Sequence, residues 1–91
     1  MEIEPIKERA EIVFEDRGNK YFVDVHAEIE DFNVNADCRF SDGAFIFIEG
    51  ELGSGKFEWT SFDDHPYSRY APIIGQLLEE KLNLLPRSER P

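Results

Sequence analysis

Residues 21–40, YFVDVHAEIEDFNVNADCRF, sort their side chains by strict alternation. Tyr21, Val23, Val25, Ala27 and Ile29 share one parity, and Phe22, Asp24, His26, Glu28 and Glu30 the other. After a turn, Phe32, Val34, Ala36, Cys38 and Phe40 alternate with Asn33, Asn35, Asp37 and Arg39. A period of two means two strands, each with one buried face. The buried face dictates the fold, and the opposite face is where function must be sought.

The flanking segments extend this pattern. Residues 10–16, AEIVFED, form a first strand with Ile12 and Phe14 inward and Glu11, Val13 and Glu15 outward. A hairpin turn at Arg17-Gly18-Asn19-Lys20, with Gly18-Asn19 supplying positive φ, pairs Phe14 with Val23 and Ile12 with Val25. A Glu30-Asp31 loop pairs Ala27 with Val34, Val25 with Ala36 and Val23 with Cys38. Neither loop residue is glycine, so a longer loop with a shifted register stays open.

Ser41-Asp42-Gly43 suits a three-residue loop with a left-handed glycine, pairing Phe40 with Ala44, Cys38 with Ile46 and Ala36 with Ile48. A two-residue loop would drive Glu49 and Glu51 into the core, where unpaired carboxylates are costly. The fourth strand covers residues 44–52, Gly53-Ser54-Gly55 turns the chain, and residues 57–62, FEWTSF, form the fifth. Phe57 and Trp59 point inward, and an aromatic of this strand fills the space over Gly50.

The period then changes. Asp63-Asp64-His65-Pro66 breaks the sheet, with the capping and turn chemistry of a strand-to-helix corner. Tyr70, Ile73, Ile74, Leu77, Leu78, Leu82 and Leu85 follow helical spacing, and Gln76, Glu79, Glu80 and Asn83 make the opposite polar stripe. The spacing predicts a helix over residues 67–85 with Pro72 in its first turn. Residues 1–9 read as an irregular arm and 86–91 as a frayed tail. The 91 residues make one α+β domain: a five-stranded antiparallel meander with one C-terminal helix on one sheet face.

Composition narrows the function classes. Hydrophobic residues are 41% and charged residues 33%, which is globular. Twenty acidic against ten basic residues give a net charge of −10, so duplex nucleic acid is a poor partner and a basic protein surface a good one. Cys38 is the single cysteine, which excludes a disulfide framework. The first residues lack a signal-peptide pattern, and no apolar run approaches the ~18 residues of a membrane span. A soluble, cytoplasmic protein is expected.

Three local patterns resemble catalytic or binding chemistry and are set aside. Gly50 to Lys56 has P-loop spacing, but Phe57 follows where a magnesium-holding hydroxyl is needed, and a strand follows where a helix is needed. Asp24, His26 and Glu28 share a strand face, with Asp37 opposite Asp24 and Asn35 opposite His26. Alternate residues lie roughly 7 Å apart, wide for shared metal ligation without help from those neighbours, and a solvated acidic face is the reading taken. Asp63, Asp64 and His65 have no matched nucleophile. No enzyme activity, cofactor or metal is expected.

The informative constellation lies on the outer face. With the registers above, one row reads Glu15, Phe22, Arg39, Phe45, Phe62, the next Val13, Asp24, Asp37, Phe47, Thr60, and the third Glu11, His26, Asn35, Glu49, Glu58. Four phenylalanines gather near Arg39 at one end, and carboxylates dominate the other. Solvated sheet faces are normally polar, and aromatic residues with Arg mark interface centres. A Phe22–Arg39 cation–π pair, or the arm lying over the patch, would account for it without a partner.

The candidate partner-binding set is Phe22, Arg39, Phe45, Phe47, Phe62, Asp24, Asp37, Glu49, Glu51 and Glu58. These residues point to a small acidic, non-enzymatic protein-binding module, an inhibitor or nucleic-acid mimic that docks on a basic protein. The alternative is a self-associating subunit, a homodimer built on the same aromatic face.

Overall fold

The computed structural model describes residues 6–30, 33–53 and 55–82. The alternating segments become β1 (Ile6–Asp16), β2 (Asn19–Ile29), β3 (Asn33–Phe40), β4 (Phe45–Gly53) and β5 (Lys56–Thr60). They form one antiparallel sheet in chain order. A 3-10 turn, Pro66–Tyr70, leads into the only described α-helix, α1 (Ala71–Leu82). The inner parity of every strand supplies the core, with Val25, Val34, Cys38, Ile46 and Ile48 fully buried. From α1, Ile74 and Leu78 close it. The helix touches β1, β4 and β5, so both edge strands curl toward it.

Trp59 sets the spacing of these layers. It stands opposite Gly50 of β4. A methyl group at Gly50 would lie 2.7 Å from the indole, and one at Gly75 of α1 only 2.1 Å from it. The ring therefore fills the gap between strand and helix, where neither backbone leaves room for a side chain. Its Nε1–H donates to Glu79 Oε2 at 2.8 Å, which satisfies the polar atom that a buried indole brings with it. The aromatic expected over Gly50 is thus Trp59, and Gly75 is its unanticipated counterpart.

Several boundaries and registers differ from expectation. Ile6 to Arg9 are not an irregular arm but the start of β1, paired with Ile29, Glu28, Ala27 and His26. The charge of this segment hid its alternation, and β2 is long enough to pair with all of it. Residues 1–5 of the expected arm lie outside the described residues.

The first hairpin turns on Arg17-Gly18, both at positive φ, instead of Gly18-Asn19. Glycine at the second loop position suits this turn, and Arg17 accepts a left-handed backbone. Phe14 consequently meets Tyr21, not Val23, with their rings stacked at 5.2 Å. Between β2 and β3, Glu30 N–H donates to the Asn33 carbonyl at 2.8 Å, which moves the pairing to Ala27 with Ala36 and Val25 with Cys38. The intervening Asp31 and Phe32 lie outside the described residues.

The β3–β4 loop follows expectation. Phe40 N–H donates to the Ala44 carbonyl at 2.8 Å, and Gly43 has φ 94°. Between β4 and β5, Gly53 pairs with Lys56, and the strand ends at Thr60, two residues before the expected Phe62. The register that results puts Trp59, in place of Phe57, over Gly50. The corrected registers are displaced by two residues, so each side chain keeps its face.

The expected helix over 67–85 divides into the 3-10 turn and α1. Pro72 lies near the α1 start, whereas Ile73 is 39% exposed and off the core stripe. Asn83, Leu85 and the tail 86–91 lie outside the described residues.

Two outcomes follow. Gly75→Ala forces the indole or the helix to move and should destabilise the fold by about 1–3 kcal/mol, read as a lower urea midpoint. Burial pushes the Cys38 thiol up to about 12, so a thiol reagent at neutral pH should label it only as fast as the protein unfolds.

Candidate interaction face

The outer parity of the sheet carries the candidate residues, in rows that the registers define. One row joins Glu11, Asp24, Arg39 and Phe45, and the next joins Arg9, His26, Asp37 and Phe47. A third joins Lys7, Glu28, Asn35, Glu49 and Thr60, and at the end of the face Asn33, Glu51 and Glu58 stand side by side. Phe22 faces Val13. Phe22, Arg39, Phe45 and Phe62 therefore do not form one row, because the β2–β3 shift sets Asp24, not Phe22, opposite Arg39, and β5 ends before Phe62.

The apolar residues nevertheless remain exposed. Phe22 is 50% exposed, Phe45 49%, Phe47 36% and Val13 46%, while Phe62, past the end of β5, is 82% exposed. The Phe22–Arg39 cation–π pair is replaced by two others. The Arg39 guanidinium lies 6.0 Å from the Phe45 ring centroid, and Lys20 Nζ lies 5.7 Å from that of Phe22. Both rings thus carry a cation at interaction range and still present area to solvent.

The charges on this face are not uniform. Arg9 Nε and Nη2 each donate to one oxygen of Asp24 at 2.9 Å, a bidentate pair that holds the Asp24 carboxyl below its ordinary range. His26 Nε2 lies 3.5 Å from the same carboxylate. Asp24 is therefore engaged within the protein, and no metal-holding cluster of three ligating side chains occurs among the described residues. Lys7 and Arg9 make the first half of the β1 edge basic, while Glu11 and Glu15 follow on its second half. Across the sheet, Glu51 stands directly opposite Glu58 with Asn33 on its other side, and no ion pair among the described residues engages either glutamate.

Two open clefts lie along the β1–β2 side. One of about 530 Å³ runs between Lys7, Arg9, His26, Asp37 and Phe47. The other, about 350 Å³, lies between Val13, Phe22, Asp24 and Arg39. The role of Arg9 and Lys7 was hidden because their segment reads as an arm. Its signal was the sequence Ile6-Lys7-Glu8-Arg9-Ala10, whose parity continues that of Ile12 and Phe14.

Side chains at the strand-to-helix corner hold the aromatic end in place. Ser61 Oγ donates to the Phe47 carbonyl at 2.8 Å, and Phe47 N–H donates to Asp63 Oδ2. Two side chains thus continue the ladder where β5 has ended. His65 Nδ1 accepts the Tyr67 N–H at 3.0 Å and caps the 3-10 turn. Tyr67 O–H donates to Asp42 Oδ2 at 2.6 Å, while Asp42 Oδ1 accepts the Ala44 N–H at 2.9 Å. This contact ties the turn to the loop that precedes Phe45. Gly50 to Gly53 belong to β4 and Lys56 opens β5, so a strand and not a helix follows the P-loop spacing.

The Tyr67–Asp42 bond makes stability depend on pH at both ends. The Tyr67 hydroxyl holds the Asp42 carboxyl below its ordinary range, so its contribution is present above the unfolded carboxylate value and lost as pH falls through the lowered one. Asp42 in turn pushes the Tyr67 hydroxyl up to about 12 from 10.0, so that contribution is present below pH 10 and lost as pH rises toward 12. Tyr67→Phe should lower the urea midpoint at neutral pH and flatten both its acid and its alkaline decline. Comparison with known protein families, with curated proteins and with solved structures finds no match to this chain.

Proposed function

We propose that the chain is an acidic protein-binding module that docks on a basic protein surface through the outer face of its sheet. The observation that carries this reading is an exposed aromatic band beside glutamates that no ion pair among the described residues engages. Phe22, Phe45 and Phe47 offer rigid apolar area at little cost in side-chain entropy, and Arg39 adds a planar donor among them. Like charges directly opposite in a sheet are destabilising, yet Glu51 and Glu58 stand so paired. An unfavourable pair on a solvated face has a use if a cationic partner settles between the two carboxylates.

The reading also has a polarity. Glu49, Glu51 and Glu58 form the acidic rim at the β4–β5 end, while Asp24 is engaged by Arg9 and contributes shape more than free charge. A partner basic opposite β4 and β5 fits better than one basic throughout. A nucleic-acid mimic would use Glu49, Glu51, Glu58 and Asp37 as the phosphate surrogates. No helix among the described residues is long and apolar enough to cross a membrane.

The test separates stability from binding. Immobilised wild-type protein captures a partner from its host, and the binding constant is then measured for variants. Glu51→Lys should stabilise the fold by roughly a few tenths of a kcal/mol, read as a higher urea midpoint, since it turns a repulsive cross-strand pair into an attractive one, and at the same time weaken binding. Phe45→Ser with Phe47→Ser should weaken binding more than about tenfold, with circular dichroism unchanged. Affinity should fall with added salt. Binding that neither substitution reduces would overturn the reading.

A further inference from the structure

The backbone hydrogen bonds leave one edge of the sheet open. Ser41 N–H donates to the Phe22 carbonyl at 3.0 Å, and Glu30 N–H to the Asn33 carbonyl at 2.8 Å. The even-numbered residues of β2 therefore turn their backbone groups toward β3, and the odd-numbered ones toward β1. Their partners in β1 are even-numbered, as in Tyr21 with Phe14 and Val23 with Ile12. Lys7, Arg9, Glu11, Val13 and Glu15 consequently point their N–H and C=O groups away from the sheet. No hydrogen bond among the described residues meets these groups.

The opposite edge is built differently. β5 has five residues and turns only Phe57 and Trp59 outward, and the stretch of β4 beyond it is capped at Phe47 by Ser61 and Asp63. Short strands and covered groups are the usual protection of an edge. Among the described residues β1 has neither protection: it runs eleven residues, with continuous pairing to β2 and no proline.

We propose that β1 pairs antiparallel with β1 of a second copy about a two-fold axis, joining two sheets into one. The side chains of β1 are self-complementary in that arrangement. Its outer face reads Lys7, Arg9, Glu11, Val13, Glu15, basic at one end and acidic toward the other. A register centred on Ala10 sets Arg9 opposite Glu11 of the copy, twice, with the small Ala10 side chains at the axis. Registers centred on Arg9 or Glu11 would instead set two like charges against each other at the axis itself. On the inner face, the same register brings Ile6 opposite Phe14 of the copy. Ile6 is 59% exposed, on the core parity of β1 but beyond the cover of the helix, so the copy would bury it. Arg9 binds Asp24 through Nε and Nη2, and its remaining N–H groups, which bond nothing among the described residues, can meet the copy's Glu11.

Pairing at the edge leaves the outer face uncovered, so the two are separable by experiment. Sedimentation and amide exchange are measured on the full chain, on Glu11→Pro, on Glu11→Arg and on Phe45→Ser with Phe47→Ser. Proline at residue 11 removes an N–H that the β1–β2 ladder does not use, and arginine there opposes Arg9 without touching the backbone. The wild type should sediment as a dimer with the Arg9, Glu11 and Val13 amides protected. Both Glu11 variants should weaken the dimer at least about tenfold with unchanged circular dichroism, and the double phenylalanine variant should remain dimeric. A monomeric wild type would overturn the proposal, even with these amides protected, since another segment of the chain would then occupy the edge. So would a dimer that survives both Glu11 variants or dissociates with the phenylalanine pair.

Discussion

The indole of Trp59 lies between two glycines, Gly50 on a strand and Gly75 on the helix, and the rest of the structure depends on that clamp. A flat ring in contact with two bare backbones tolerates almost no sliding. Moving β5 by two residues would place Phe57 against Gly50 and leave the space facing Gly75 to a differently shaped ring. The Trp59–Glu79 hydrogen bond fixes the ring from its other side. Once the helix is held against β5 in this way, its Ile74 and Leu78 reach the centre of the sheet, and β1 is drawn toward it from the far edge.

The clamp reaches the outer face through the register. With Trp59 opposite Gly50, Glu58 must stand opposite Glu51 and Thr60 opposite Glu49. The exposed glutamate pair is thus a consequence of core packing, and a substitution that relieves it need not disturb the core. At the other end of the same strand pair, the ladder is continued by Ser61 and Asp63, not by more β5. That exchange of backbone for side chains lets the chain leave the sheet early while Phe47 stays in place.

What could be read from residues alone divides cleanly between parity and register. Alternation from Ile12 to Trp59 assigns every strand residue to a face, and errors of two residues do not alter that assignment. The architecture and most of the core were therefore legible. The rows were not, because they depend on which loop residues accept a left-handed backbone. Arg17 does so where Asn19 was the natural choice. The β3–β4 loop was legible because the wrong choice would have buried Glu49 and Glu51, a penalty visible in composition. Gly75 was not, since a glycine inside a helical stripe looks like a gap until the ring that fills it is known. The start of β1 was missed because four of its first six residues are charged, and the basic end of the outer face was missed with it.

The opposition of Glu51 and Glu58 at the edge of the outer face, and the seating of the helix on the sheet, rest on the β4–β5 register and its anchor. The most direct test is a proton NOE spectrum of the wild-type protein. Gly50 and Trp59 form a non-hydrogen-bonded pair in this register, so their Hα protons should give a strong cross-peak, accompanied by contacts from the Trp59 ring to the Gly75 Hα protons. A cross-peak between the Hα protons of Gly50 and Phe57, with no contact between Trp59 and Gly75, would contradict the account.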